Sequence, residues 1–249
     1  MKVIILAGGQ GSRLRPLTDA KPKCMVEYQN KPIIDYILES MQRCKLSNIA
    51  IVNGYKKEVL QEYLKNRKIK FYTNEDFDKT NMVSTLFCAK DFMDDDLIIS
   101  YADIVYNDNI LQNLIDSKDD FSVVVDRKWR ELWSQRMDNP LEDAETLKIK
   151  DSKIIELGKK PNSYNDIEGQ YIGLIKISKE VIKKVVDFYM TLDKDAIYDT
   201  KDFNNMYMTS FIQMIIDNLL DVKPVFIDGG WVEIDCVDDL LSTCKLNKF

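Results

Sequence analysis

The chain has 249 residues, of which 45% are hydrophobic and 31% charged, enough for one large core or two small ones. Its formal net charge of −6 lacks the basic footprint of a nucleic-acid binder, and no apolar stretch reaches membrane-spanning length. Histidine is absent, which excludes Ser-His and Cys-His nucleophiles, histidine-ligated zinc and imidazole bases, so any chemistry must use carboxylates, lysines, arginines, backbone amides or a metal.

Lys2 to Leu6 reads as a buried strand that feeds a glycine loop at Ala7-Gly8-Gly9; its apolar run is too short for a signal-peptide core. Pro32 to Cys44 places Ile33, Ile34, Ile37, Leu38 and Met41 at helical spacing, with proline in the first turn. Asn48 to Val52 is a second strand, Lys56 to Lys65 a helix and Ile69 to Thr73 a third strand. Met82 to Met93 reads as one helix. Leu97 to Ser100 is a buried strand followed by Tyr101-Ala102-Asp103, then come a helix over Asn109 to Ser117 and a strand over Phe121 to Val125. This alternation predicts an α/β fold: a Rossmann-like, mixed but mainly parallel central sheet flanked by helices.

The second half is less regular. Trp129 to Ala144 is mixed and charged, an expected insertion over a site, and Thr146 to Leu157 suggests a hairpin. A strand follows at Tyr171 to Ile177, then helices at Lys179 to Met190 and Phe203 to Leu220, a strand at Val222 to Ile227 and a closing helix at Val237 to Leu246. Without repeats or a linker, 1–249 reads as a single domain. Five cysteines (Cys24, Cys44, Cys88, Cys236, Cys244) form no C-x-x-C pair and are odd in number, which fits reduced thiols in the cytoplasm.

In an open α/β sheet, ligands bind beyond the carboxyl ends of the strands. There the loop Leu6-Ala7-Gly8-Gly9-Gln10-Gly11-Ser12-Arg13 lets the backbone approach a phosphate closely, and Arg13 and Arg15 add forked positive charge. It is not a Walker A loop, which needs Gly-Lys-Ser/Thr. Nor is it a dinucleotide fingerprint, because Leu14 holds the third glycine position and Pro16 and Pro22 interrupt any long helix.

The pattern Gly8-Gly9-x-Gly-x-Arg-Leu-x-Pro-Leu-Thr, with Lys21-Pro22-Lys23-x-Met25 and Lys31-Pro32-Ile33, closely resembles the signature of the nucleotidyltransferase superfamily that makes NDP-sugars and CDP-alcohols. The resemblance implies a nucleotide-diphospho-sugar transferase type of fold, with a nucleotide-binding half at about 1–120 and an acceptor-binding half at about 121–249. It implies that Leu6, Ala7, Gly8, Gly9, Gly11, Ser12, Arg13 and Ala102 surround a nucleoside triphosphate, and that Arg13 and Lys23 act on its phosphates. Asp103 and Asp235 match aspartates that hold Mg2+ there; taken alone, Asp103 would read as a turn residue and Asp235 as a helix cap.

Segments Asn81 to Phe87, Ser100 to Tyr106, Val124 to Arg130, Leu157 to Pro161 and Gln170 to Gly173 resemble a narrower branch, the phosphocholine and aminoethylphosphonate cytidylyltransferases. This implies CTP and a small phosphorylated acceptor as partners, with phosphoglutamine, a precursor in capsule polysaccharide chemistry, favoured. Phosphocholine and a sugar 1-phosphate with UTP, dTTP or GTP are the alternatives, and a catalytically inactive nucleotide binder is a third; a homodimer stays open. Asn81 and Ser84 sit where the branch reads the base, although Asn81 also fits a helix N-cap. Lys160 matches a lysine that faces the acceptor, and Lys159 replaces a glutamate that binds sugar hydroxyls. With Arg127, Trp129 and Gly173 these complete the expected acceptor set; Trp129 and Trp133 read equally as packing.

Overall fold

The computed structural model describes residues 1–241. Its centre is a seven-stranded sheet of β1 (Lys2–Ala7), β2 (Ile49–Asn53), β3 (Ile69–Thr73), β4 (Leu97–Tyr101), β6 (Phe121–Asp126), β7 (Gln170–Ile177) and β8 (Lys223–Ile227). A two-stranded ribbon joins β5 (Ile104–Tyr106) to β9 (Trp231–Glu233). The order across the sheet is β8-β6-β7-β4-β1-β2-β3; only β7 runs antiparallel to its neighbours, as expected of a mixed, mainly parallel sheet.

The first strand shows why the fold forms. Val3, Ile4 and Ile5 are wholly buried, and because side chains alternate along a strand, Val3 and Ile5 enter one core while Ile4 and Leu6 enter the other. The first core is completed by α1 (Ile33–Arg43) through Ile37 and Met41, and by α4 (Asp108–Asp116) through Ile110 and Leu114. The second is completed by α3 (Met82–Phe87), α6 (Lys179–Thr191) and α7 (Met208–Asn218) through Leu86, Val185, Phe211 and Ile215. Each such aliphatic side chain contributes about 2 kcal/mol by leaving water.

Three differences from the sequence reading bear on the site. The helix expected over Met82 to Met93 stops at Phe87 and resumes as a 3-10 turn, Lys90–Phe92. The mixed segment after β6 forms α5 (Trp129–Arg136) and a 3-10 turn, Pro140–Glu142. The ribbon of β5 and β9 was not foreseen: three-residue strands carry no readable period. The expected hairpin is present as Leu147–Lys150 and Lys153–Leu157. Of the closing helix over Val237 to Leu246, a 3-10 turn spans Asp238–Leu241; the remainder, with Cys244, lies outside the described residues.

Candidate active site

The carboxyl ends of β1 and β4 open on a cavity of about 290 Å³. The glycine loop forms its floor. Gly11 adopts φ +62°, and a Cβ there would lie 2.9 Å from Lys23 Cβ, so glycine lets the loop close against the base of the Lys23 side chain. Thr18, fully buried, donates its hydroxyl to the Gly11 carbonyl at 2.9 Å and fixes the returning chain. Lys23 then starts a single 3-10 turn whose next residue, Cys24, is anchored in the core.

Lys23 Nζ donates to Asp103 Oδ2 at 2.7 Å and to Asp235 Oδ1 at 2.8 Å. Arg13 Nη1 stands 2.5 Å from Asp235 Oδ2, on a side chain 70% exposed. Burial alone would lower the Lys23 pKa; the charges of Asp103, Asp235 and Glu233 and the hydrogen bond to Asp103 outweigh it and hold the ammonium above its ordinary value. Lys23 therefore stays charged at physiological pH.

The ribbon brings the two aspartates together. Asp103 lies two residues beyond β4 and its carbonyl accepts the Ile234 N–H at 2.8 Å, while β9 pairs Glu233 with Ile104. Asp103 Oδ1 is buried and has no hydrogen-bond partner among the described residues. Such an orphaned carboxylate oxygen calls for a cation. No cluster of three histidine, cysteine or acidic side chains poised for a metal occurs among the described residues. A magnesium ion fits a site with two aspartates at most, because it retains waters and takes substrate phosphates for its other positions.

Arg136, at the end of α5, was not singled out in the sequence. Only 7% exposed, it donates through Nε to Asp239 Oδ1 at 2.7 Å and through Nη1 to Glu233 Oε2 at 2.9 Å. Asp239 Oδ2 in turn accepts the backbone N–H groups of Asp235 and Cys236 at 2.8 and 2.9 Å. The loop that carries Asp235 thus hangs from a buried arginine 99 positions earlier in the numbering, Arg136 to Asp235, a link that no local motif announces. Glu233 itself is raised to about 7, by desolvation first and by the Asp103 charge second, against the pull of Arg136 and Lys23.

A second cavity of about 190 Å³ adjoins the first, and Asn81, Met82, Tyr101 and Glu233 line both. Its other walls include Trp133, Asp143, Glu145, Tyr171 and Thr209. Gly173 also lines it: at a bulge in β7 this residue adopts φ +88°, and a Cβ would lie 2.6 Å from the Tyr101 ring.

Of the residues read as nucleotide-, phosphate- or metal-binding, Leu6, Ala7, Gly8, Gly9, Gly11, Ser12, Arg13, Lys23, Ala102, Asp103 and Asp235 line the first cavity. Asn81 reaches it too, but its side-chain amide oxygen, Oδ1, caps α3 by accepting the Met82 N–H at 2.8 Å. Ser84 lines neither cavity; its hydroxyl donates to the Asn204 carbonyl at 2.8 Å. Of the expected acceptor set, only Gly173 lines the second cavity. Arg127 is bound to Asp228 through two hydrogen bonds of 2.7 and 3.0 Å. Trp129 is 4% exposed and packs against Trp133, ring centroids 6.0 Å apart, because α5 turns it toward the core. Lys159 pairs with Glu156 at 3.1 Å, and Lys160 donates to the Leu141 and Glu142 carbonyls at 2.8 and 2.5 Å. Lys159 pairs within its own turn, Lys160 ties that turn to the Leu141–Glu142 segment, and neither lines either cavity.

Residues 2–134 match the nucleotidyl transferase family model. CTP:phosphoglutamine cytidylyltransferase of Campylobacter jejuni is 54% identical over 247 residues, covering 96% of this chain and 98% of that protein. Among solved structures, a putative glucose-1-phosphate thymidylyltransferase from Bacillus anthracis superposes with a TM-score of 0.77 at 19% identity, covering 97% of this chain and 92% of that one. CTP:phosphocholine cytidylyltransferase from Streptococcus pneumoniae superposes with a TM-score of 0.70 at 23% identity, over 99% of each chain. At these identities the two structures establish the shared fold.

Proposed function

Because the chain belongs to the nucleotidyl transferase family, we propose that it transfers CMP from CTP to phosphoglutamine and releases pyrophosphate. The observation that carries this reading is the 54% identity to CTP:phosphoglutamine cytidylyltransferase over nearly the whole of both chains. The site supplies the matching chemistry. An oxygen of the acceptor phosphate attacks the α-phosphorus of CTP, a P–O bond forms there, and the bond to the bridging oxygen of the β-phosphate breaks. Both reacting groups are anions, so catalysis rests on positioning and on neutralising charge.

In this reading the glycine loop turns backbone N–H groups toward the triphosphate, and Arg13, on an exposed side chain, follows the departing pyrophosphate. Lys23 remains protonated and sets its charge against the α-phosphate. Asp103 and Asp235 are the residues that would hold Mg2+, whose charge screens the triphosphate oxygens when bound. The acceptor phosphate is already ionised at neutral pH, so the absence of histidine leaves no step without an agent. Among the described residues the four cysteines, Cys24, Cys44, Cys88 and Cys236, are free, which fits work in a reducing cytoplasm.

The test is a matrix of CTP, UTP and dTTP against phosphoglutamine, phosphocholine, aminoethylphosphonate and glucose 1-phosphate, with pyrophosphate release as readout. Fastest turnover is expected for CTP with phosphoglutamine. Fastest turnover with UTP or dTTP and glucose 1-phosphate would replace the reading by a sugar nucleotidyltransferase. No pyrophosphate from any pair would reduce the protein to a nucleotide binder.

A further inference from the structure

The second cavity has a charge imbalance that its neighbour lacks. Three carboxylates line it, Asp143, Glu145 and Glu233, and no lysine or arginine does. Glu233 is paired with Arg136 at 2.9 Å. No ion pair reaches Asp143 or Glu145 among the described residues; Asp143 accepts only the Trp133 indole N–H, at 3.2 Å. The remaining walls are rich in aromatic faces, Trp133, Tyr171, Tyr207 and Trp231 among them. Carboxylates and aromatic rings both attract cations.

Resting on the acceptor assignment above, we infer that this cavity receives a cationic nitrogen of the acceptor, the α-ammonium in phosphoglutamine, with Glu145 as its counter-charge. Glu145 is held for such a task. Gln170, 5% exposed, accepts the Glu145 N–H at 3.1 Å and donates to the Glu145 carbonyl at 2.5 Å, so one buried side chain fixes the residue's backbone at both ends. The Thr209 hydroxyl, from α7, donates to Glu145 Oε1 at 3.2 Å and fixes the carboxylate. Burial foremost, then the nearby carboxylates Asp143 and Asp199, push the Glu145 pKa up to about 7 despite the Thr209 hydrogen bond. A carboxylate kept at that cost lacks a positive partner, and an ammonium group supplies one. Because the two cavities meet at Glu233 and Tyr101, an acceptor lying across the join would put its phosphate at Lys23 and its ammonium at Glu145.

The experiment compares phosphoglutamine with its desamino analogue, the same chain bearing hydrogen in place of the α-ammonium, at saturating CTP. For the wild-type protein, kcat/KM is expected to be about 30-fold higher for phosphoglutamine, since a site built around a buried charge rejects a ligand that leaves it unpaired. Glu145→Gln keeps the Thr209 hydrogen bond and should close that gap, with the loss falling mainly on the KM of phosphoglutamine and little on that of CTP. Equal kcat/KM for the two acceptors in the wild-type protein overturns the inference, and so does a variant that weakens both acceptors alike. If phosphoglutamine fails with CTP, the acceptor assignment falls by itself. Phosphoethanolamine against ethyl phosphate then decides the cavity: a preference for the ammonium-bearing member sustains the inference, and equal use, or no use of either, overturns it.

Discussion

The two cavities share a wall but are built on opposite electrostatic plans. In the first, Lys23 and Arg13 stand within ion-pair distance of Asp103 and Asp235, so charges of both signs are interlocked. In the second, carboxylates face aromatic rings with no lysine or arginine among them. The first cavity draws its largest single share of wall from one continuous stretch, the strand and loop between Leu6 and Lys23. The second assembles from segments around residues 81, 101, 133, 145, 171, 209 and 231. On the proposed function, the difference follows from the reactants. A triphosphate presents the same row of oxygens in every case, and one backbone loop can be shaped to it. An acceptor differs in charge and shape from one substrate to the next, and side chains on separate elements can be exchanged one at a time.

The largest effect should come from the first cavity. Asp103→Asn is expected to lower kcat about 1000-fold while the melting temperature moves little, because the amide can still accept from Lys23 but no longer offers a full charge to a metal. A folded Asp103→Asn protein with near-normal turnover would remove the interlocked charges from the mechanism. The next effect lies at the join. Arg136→Met should raise the Mg2+ concentration for half-maximal activity about tenfold, by releasing the Asp235 loop. It should also cost about 3 kcal/mol in a urea melt, because Asp239, 2% exposed, loses its two hydrogen bonds from the Arg136 guanidinium. Unchanged magnesium dependence would make Arg136 a purely structural residue.

In the second cavity the expected effect is smaller and depends on pH. Glu145 rises from 4.5 to about 7 on folding, so between those values the folded state holds a proton that the unfolded chain gives up. The stability tied to that proton is present at pH 4 and is lost as pH rises through 7. Glu145→Gln should therefore gain on the wild type by about 2 kcal/mol between pH 5 and pH 8 in parallel denaturant melts. Parallel curves would mean that the second cavity carries no strained charge. The smallest effect is expected outside both cavities. Arg127→Ala removes an exposed pair with Asp228 and should change acceptor kcat/KM no more than about twofold. A tenfold loss would extend the acceptor site to the end of β6.

The sheet was legible because its strands are buried on both faces, and a run such as Val3-Ile4-Ile5 has few other uses. Leu6 to Lys23 was legible for a related reason: close approach of backbone to phosphate restricts residue choice over consecutive positions. Asp103 and Asp235, read as Mg2+ ligands, both line the first cavity, yet the ribbon that joins them was missed, since Ile104–Tyr106 and Trp231–Glu233 are too short to show a period. Lys159 and Lys160 line neither cavity, and the sequence does not announce it. A lysine on a turn can face a ligand or close the turn on a carbonyl, and the choice is set by where Glu156, Leu141 and Glu142 come to rest in three dimensions. Glu145 and Arg136 carry no local signal at all. Their partners Thr209, Gln170 and Asp239 are 64, 25 and 103 positions away.

The Lys23 bridge also has a meaning for the order in which the molecule is made. Its two bonds span 80 and 212 positions, so the strand and loop that define the triphosphate cavity emerge from the ribosome long before the carboxylate that completes it. During most of synthesis Lys23 has at best one of its two acidic partners, and β4 awaits the ribbon that β9 supplies. Contacts of such long range form late, because the chain between them must first be ordered. A nascent chain can therefore shape its glycine loop early, yet hold Lys23 without its second acidic partner until Asp235 is delivered.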